Sequence, residues 1–172
     1  MNYASRHVLI VDDHAFTRVL IRDVLHNLGF GLTNIHEATD GGAALQILRH
    51  RRVDLIFCDW QMEPMDGLTF MRALRNPEEN ENPYVPVIFC TAFAERDVIE
   101  QARDSGVNEI MTKPITAKAV EARIEKALTN PRDFVQTPDY FGPDRRRRSP
   151  TGEPFPEDRR TRAPRTASSA KT

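Results

Sequence analysis

The chain has 172 residues, 24 Lys and Arg against 25 Asp and Glu, a net charge of −1, 12 prolines and 2 cysteines. That length fits one domain of about 100–150 residues plus a remainder. No stretch approaches the roughly 20 apolar residues of a membrane helix, and the N-terminus lacks an apolar signal core, so a cytoplasmic protein without a membrane span is expected. Two cysteines cannot build a disulfide framework, and no His/Cys cluster has zinc spacing.

The averages hide a split. Residues 1–128 hold 14 basic and 19 acidic residues, whereas 129–172 hold 10 basic and 6 acidic ones and seven of the twelve prolines. The only large apolar residues of the second part are Phe134, Val135, Tyr140, Phe141 and Phe155. So little apolar surface does not offset the entropy of ordering a chain. The expected organisation is one domain over 1–128 and a Pro/Arg-rich, largely disordered tail over 129–172.

Within the first part the elements alternate. An apolar run at 8–11 predicts a strand. Phe16, Leu20, Val24 and Leu28 then recur every fourth residue and end at Gly29, which predicts a helix with a glycine C-cap. A weaker strand-like run covers 32–38, followed by a helix over 43–49. Runs at 55–58 and 85–90 predict strands, with a helix over 68–75 between them, stopped by Asn76-Pro77. A fourth helix over 94–105 ends at Gly106, and 110–111 is a short strand. Thr116 is placed to cap a fifth helix, with Val120, Ile124 and Leu128 along one face. The stronger strands are continuously apolar, as strands covered on both faces are. Five strand–helix alternations predict an α/β fold, a doubly wound five-stranded parallel sheet with helices on both faces. Ligands in such sheets bind beyond the carboxyl ends of the strands.

Those ends carry the chemistry. Asp12 and Asp13 follow the first strand, Asp59 the third, Thr91 and Ala92 the fourth, and Lys113 and Pro114 the fifth. Three carboxylates on one sheet edge repel unless a cation sits among them, and an all-oxygen set suits Mg²⁺. A divalent cation, an ammonium and a hydroxyl together suit a phosphoryl group, and an in-line carboxylate can itself accept it as an aspartyl phosphate.

The pieces "LIVDDH" at 9–14, "DWQMEPMDGL" at 59–68, "CTA" at 90–92 and "TKP" at 112–114 resemble the receiver domain of two-component response regulators over residues 6–128. The resemblance implies a flavodoxin-like fold with Asp59 as phosphoacceptor. It implies Asp13 as a direct Mg²⁺ ligand, Asp12 as a support acting largely through water, and the backbone carbonyl of Gln61 as a further ligand. Thr91, Lys113 and the backbone N–H of Ala92 are implied to hold phosphoryl oxygens, and Lys113–Pro114 to be a cis peptide. The implied phosphodonor is a sensor histidine kinase or a histidine phosphotransfer protein. With no helix-turn-helix pattern after Leu128, nucleic acid is not an expected partner. A stand-alone receiver of the chemotaxis type is expected, with output by contact with a downstream protein through the fourth helix, fifth strand and fifth helix. It promotes its own modification and is not a turnover enzyme.

Other readings are weaker. Cys58 and Cys90 read as small buried apolar side chains, Trp60 as a half-exposed neighbour of the site, and His14 as a helix-start residue at its rim. A haloacid-dehalogenase-type phosphatase would need an Asp-x-Asp after its first strand, and adjacent Asp12-Asp13 do not supply it. A phosphorylation-independent scaffold is the other alternative. In the tail, the "YFGPDRRRR" stretch at 140–148 and the later arginines read as a solvated charge run or as a contact for an acidic partner, with 140–143 a possible anchor onto the domain.

The chain departs from the family pattern in three respects. Ile110 stands where many receivers carry Tyr or Phe, leaving no large ring to follow the hydroxyl of Thr91 inward. Glu63, followed by Pro64, stands where a proline is usual. Gln61 and Phe93 flank the route by which water attacks an aspartyl phosphate. An apolar ring at 93 excludes water, so Phe93→Ala and Phe93→Glu are expected to shorten the lifetime of the phosphorylated form. Decay of the acyl phosphate at the wild-type rate in both variants would remove that role.

Overall fold

The apolar runs become β1 (Val8–Val11), β2 (Ile35–Ala38), β3 (Leu55–Asp59), β4 (Val87–Thr91) and β5 (Glu109–Thr112). A computed structural model, describing residues 3–92 and 95–145, orders them β2-β1-β3-β4-β5 in one parallel sheet. Between them run α1 (Ala15–Asn27), α2 (Gly41–His50), α3 (Gly67–Leu74) and α4 (Arg96–Asp104), with α5 (Ala117–Thr129) last. This is the doubly wound α/β fold expected from the alternation. The strand order reverses at β1 and β3, so the ends of those two strands flank the crevice of the sheet.

The continuous apolar runs are explained by two cores. Leu9, Val11, Ile56, Cys58, Val87 and Phe89 face one side, packed by α2, α3 and Ala102 of α4. Val8, Ile10, Leu55, Phe57, Ile88 and Cys90 face the other, packed by α1 and α5. Successive side chains of a strand point to opposite faces, so a strand covered twice has no polar alternation. Caps fix the helix starts. The Asp40 carboxylate accepts from Gly42 N and Ala43 N, that of Asp66 from Thr69 N, and the hydroxyl of Thr116 from Ala119 N. Gly29 and Gly106 take φ of 98° and 91°, the left-handed conformation that ends a helix at low cost in glycine.

Several elements differ from the sequence reading. The buried stripe of α1 is Ile21, Val24 and Leu25, while Phe16 is 80% exposed. Steps of four residues drift about 40° around a helix, so a run of i+4 positions winds off the buried face. The weak run at 32–38 splits into a 3₁₀ turn, Leu32–Asn34, and the short β2. Residues 85 and 86 precede β4, and α4 begins at Arg96. Among the described residues no helix is long and apolar enough to cross a membrane.

The start of the tail is ordered on the domain. After α5 the chain forms an antiparallel hairpin of β6 (Phe134–Thr137) and β7 (Tyr140–Pro143). Four of the five large apolar residues of 129–172 fall in this hairpin, which is why it packs although the tail as a whole is apolar-poor. Tyr84, Phe134 and Phe141 form a triangle of rings with centroids 5.2–5.7 Å apart. A Cβ on Gly142 would come within 2.8 Å of the Gly106 Cα, so glycine there allows the two backbones to touch. The rest of the tail, with the arginine run at 146–148 and those from 159 onward, lies outside the described residues.

Arg75 is the pin beneath this hairpin. Its side chain is buried, donates to the carbonyls of Gly106, Pro83 and Val85 and to Asn108 Oδ1, and lies 5.1 Å from the Phe134 ring centroid. Asn108 Oδ1 also accepts from Val87 N at 3.0 Å, tying the start of β4 to the same cluster. Arg75→Leu strands several buried acceptors at once and is expected to cost about 3 kcal/mol. Urea unfolding checks this, and a midpoint equal to wild type would remove Arg75 as the pin.

Candidate functional site

Asp12 follows β1 and is 1% exposed; Asp59 ends β3 and is 6% exposed. The ammonium of Lys113, beyond β5, lies 3.1 Å from Asp59 Oδ1 and 3.3 Å from Asp12 Oδ2. Parallel strands stand roughly 5 Å apart, so Lys113 reaches past β4 to meet acids on β3 and β1. Its backbone is set for this: Lys113 N donates to Thr91 O at 2.8 Å, and the next peptide, Lys113–Pro114, is cis. Thr91, at the end of β4, is buried beside this bridge. Ala92 follows, exposed at the rim, as is Gln61. Phe93 lies outside the described residues.

Asp13 is more open. Its Oδ1 is 2.6 Å from His14 Nδ1, while His14 N donates to Asp12 Oδ1 at 2.8 Å. Asp12, Asp13, His14 and Asp59 each bring a ligand atom to within 4.8 Å of the others. Three of these groups are carboxylates, a hard oxygen set that fits Mg²⁺, and the exposed side of Asp13 leaves room for water ligands.

The electrostatics follow from crowding. Burial and the charge of Asp12 raise the pKa of Asp59 above the ordinary carboxylate value, with Lys113 pulling the other way. Burial works against the charge of Lys113, but Asp59 and Asp12 outweigh it and hold its pKa above normal. Cys58 and Cys90 are buried, and desolvation first, then nearby acids, pushes both thiols up, so they stay protonated and unreactive.

Around the cluster, half-buried Trp60 meets Phe89 edge-on with centroids 5.5 Å apart. Ile110 is half-buried against the α2/α3 core, in register with Phe89. Glu63 and Pro64 are joined by a second cis peptide.

Gly67 is the residue that sequence reasoning missed. It donates to Trp60 O at 3.1 Å, and a Cβ there would lie 2.4 Å from Asp59 O. The first turn of α3 therefore rests on the backbone of Asp59 itself. The signal was an Asp-Gly pair at 66–67, an N-cap followed by a residue with no side chain.

An acceptor-like acid, a lysine bridging two strand ends and a buried threonine on the carboxyl edge of a β2-β1-β3-β4-β5 sheet are the parts of one known site. The family model of the response regulator receiver domain matches residues 8–125. The chain belongs to the response regulator receiver family. It is 41% identical over 119 residues to the chemotaxis protein CheY of Pseudomonas aeruginosa, covering 69% of this chain and 93% of that protein. It is 36% identical to CheY-3 of Vibrio cholerae, over 69% of this chain and 88% of that one. Among solved structures, Vibrio cholerae CheY4 shares the fold, with a TM-score of 0.64 at 24% identity over 72% of this chain and 98% of that chain. The receiver domain of Francisella response regulator 1452 matches with a TM-score of 0.61 at 27% identity, over 70% of this chain and 94% of that chain. Receivers of this kind are phosphorelay signalling proteins rather than turnover enzymes.

The crowding yields a test in this receiver. A carboxyl whose folded pKa lies above its unfolded value is penalised when ionised, so stability falls as pH rises from the unfolded value through the folded one. In chelator at neutral pH, Asp59→Asn is therefore expected to raise the melting temperature by about 2–5 °C. A lower melting temperature than wild type would mean that attraction to Lys113 outweighs burial and Asp12.

Proposed function

We propose that this receiver takes a phosphoryl group from a phosphohistidine onto Asp59, with Mg²⁺, and signals through contact with a downstream protein. The observation that carries the reading is the Lys113 ammonium within 3.3 Å of both Asp59 and Asp12. In this reading an Asp59 carboxylate oxygen attacks phosphorus as the P–N bond to the donor imidazole breaks. Lys113 neutralises charge on the phosphoryl oxygens, and the Thr91 hydroxyl and Ala92 N–H orient them. When bound, Mg²⁺ would supply a second positive centre beside Lys113. Asp13 would ligate it directly, with Asp59 and the Gln61 carbonyl, while Asp12 supports it largely through water. Catalysis is then positioning and charge neutralisation, which a preorganised polar site provides.

The donor is a sensor histidine kinase or a histidine phosphotransfer protein, and the receiver works in the cytoplasm. Modification changes which partner surface is favoured, which is how a receiver signals by contact. The likeness to CheY proteins supports this mode.

Half-buried Trp60, next to Asp59, makes the reading measurable. Its fluorescence is expected to change on adding Mg²⁺ and again on adding acetyl phosphate. Mass spectrometry should place one phosphoryl group on Asp59. Asp59→Asn should abolish the second change and the modification, and Lys113→Ala should slow modification at least tenfold. An acyl phosphate on another residue, or repeated turnover of a generic phosphate ester, would overturn the assignment.

A further inference from the structure

The residue after the acidic pair has a position that its place in the helix does not explain. His14 is the N-cap of α1, yet its side chain makes no capping bond to that helix. Side chains that cap are short oxygen acceptors, those of Ser, Thr, Asp and Asn, which bond back to the first N–H groups. The ring of His14 turns over the acids instead. Its Nδ1 stands 2.6 Å from Asp13 Oδ1 and 3.4 Å from Asp12 Oδ1. The backbone supports the approach, because His14 N donates to Asp12 Oδ1 at 2.8 Å.

Two arrangements account for such a contact. In the first, Nδ1–H donates to Asp13 as a surface pair of little worth, the His14 side chain being 70% exposed. In the second, the ring nitrogen and the carboxylate oxygens are ligands of one cation. Neighbouring ligands of an ion with bonds of ~2.1 Å lie about 3 Å apart. The two distances from Nδ1 stand on either side of that spacing. The first arrangement needs Asp13 alone. The second also needs Asp59, and the fold brings it in from β3: ligand atoms of Asp12, Asp13, His14 and Asp59 all lie within 4.8 Å of one another.

We propose that His14 is an imidazole ligand of the receiver's cation site, which with the carboxylates makes a mixed nitrogen–oxygen set that takes borderline divalent ions such as Zn²⁺ and Ni²⁺ as well as Mg²⁺. The proposal rests on the reading of this chain as a metal-dependent receiver, and it adds which cations the site prefers. Carboxylates, carbonyls and water suit Mg²⁺, whereas imidazole suits Zn²⁺ and Ni²⁺. Mg²⁺ gives up its water reluctantly and gains little from a nitrogen ligand. His14 therefore acts on the choice among cations more than on the affinity for Mg²⁺. The sequence shows the histidine but not this role, since no second histidine stands at ligand spacing and its partners are acids from two strands.

The test uses the full, untagged chain near neutral pH, with Mg²⁺ and Zn²⁺ as the probes. Trp60 fluorescence reports occupancy beside Asp59, and proton–nitrogen NMR spectra of the imidazoles report each histidine separately. Mg²⁺ is expected to change Trp60 emission without shifting the His14 ring nitrogens. Zn²⁺ is expected to change it at lower concentration and to shift His14 Nδ1. His14→Ala should weaken Zn²⁺ binding at least about tenfold, and Mg²⁺ binding at most about twofold. Asp13→Asn should weaken both, and His50→Ala, at the exposed end of α2, neither. Circular dichroism confirms that each variant is folded. Equal losses of Zn²⁺ and Mg²⁺ in His14→Ala would reduce the contact to a hydrogen bond and overturn the proposal. So would a Zn²⁺ shift confined to other histidines. A normal Mg²⁺ response with no effect of His14 on Zn²⁺ strikes this inference alone, whereas a Trp60 response to neither ion strikes the metal-dependent reading with it.

Discussion

One ammonium group sets the working geometry of this molecule. Lys113 stands beyond the edge strand β5, and its side chain reaches past β4 to Asp59 and Asp12. Two buried carboxylates so close would repel without it, and burial alone already raises the pKa of Asp59. The site is therefore tense by construction: Asp59 is buried against a second acid, and the Lys113 ammonium holds the two together. Such a cluster favours whatever brings further positive charge, and it presents one buried oxygen beside a lysine and a threonine. A group that accepts a phosphoryl anion needs those features.

Everything else in the sheet serves to bring those strand ends together. The order β2-β1-β3-β4-β5 puts the acids on neighbouring central strands, the hydroxyl one strand further and the lysine at the edge. Gly67 lets α3 begin directly against the Asp59 carbonyl, so the backbone there is backed by a helix. Ile110, in register with Phe89, offers a compact aliphatic side chain where related receivers often have a ring.

At the opposite end of the sheet, Arg75 gathers the carbonyls before β4 and after α4, and the hairpin of 134–143 lies over it. A buried guanidinium with several backbone acceptors is costly to disturb, because each acceptor left alone loses its partner. This anchors the extension to the body of the receiver. The extension is thus part of the receiver's surface as well as an appendage to it.

The sequence by itself determined the sheet, its helices and which polar residues stand at its edge. Continuous apolar runs mark strands covered twice, and acids, a threonine and a lysine at successive run ends have few other uses. It did not determine which side of α1 is buried, because Phe16, Leu20, Val24 and Leu28 form a series that drifts off one face while Ile21 and Leu25 carry the packing. It did not reveal the role of Gly67, which depends on how closely a helix approaches another strand's carbonyl. Nor did it show the hairpin: averaged over 44 residues the apolar content is low, yet local concentration and a neighbouring Tyr84 make a small core. Local pattern fixes what each segment prefers. Which distant groups meet, and at what distance, is decided only when the segments pack, because contacts such as Lys113 with Asp12 join residues far apart in the chain through a geometry no local stretch contains.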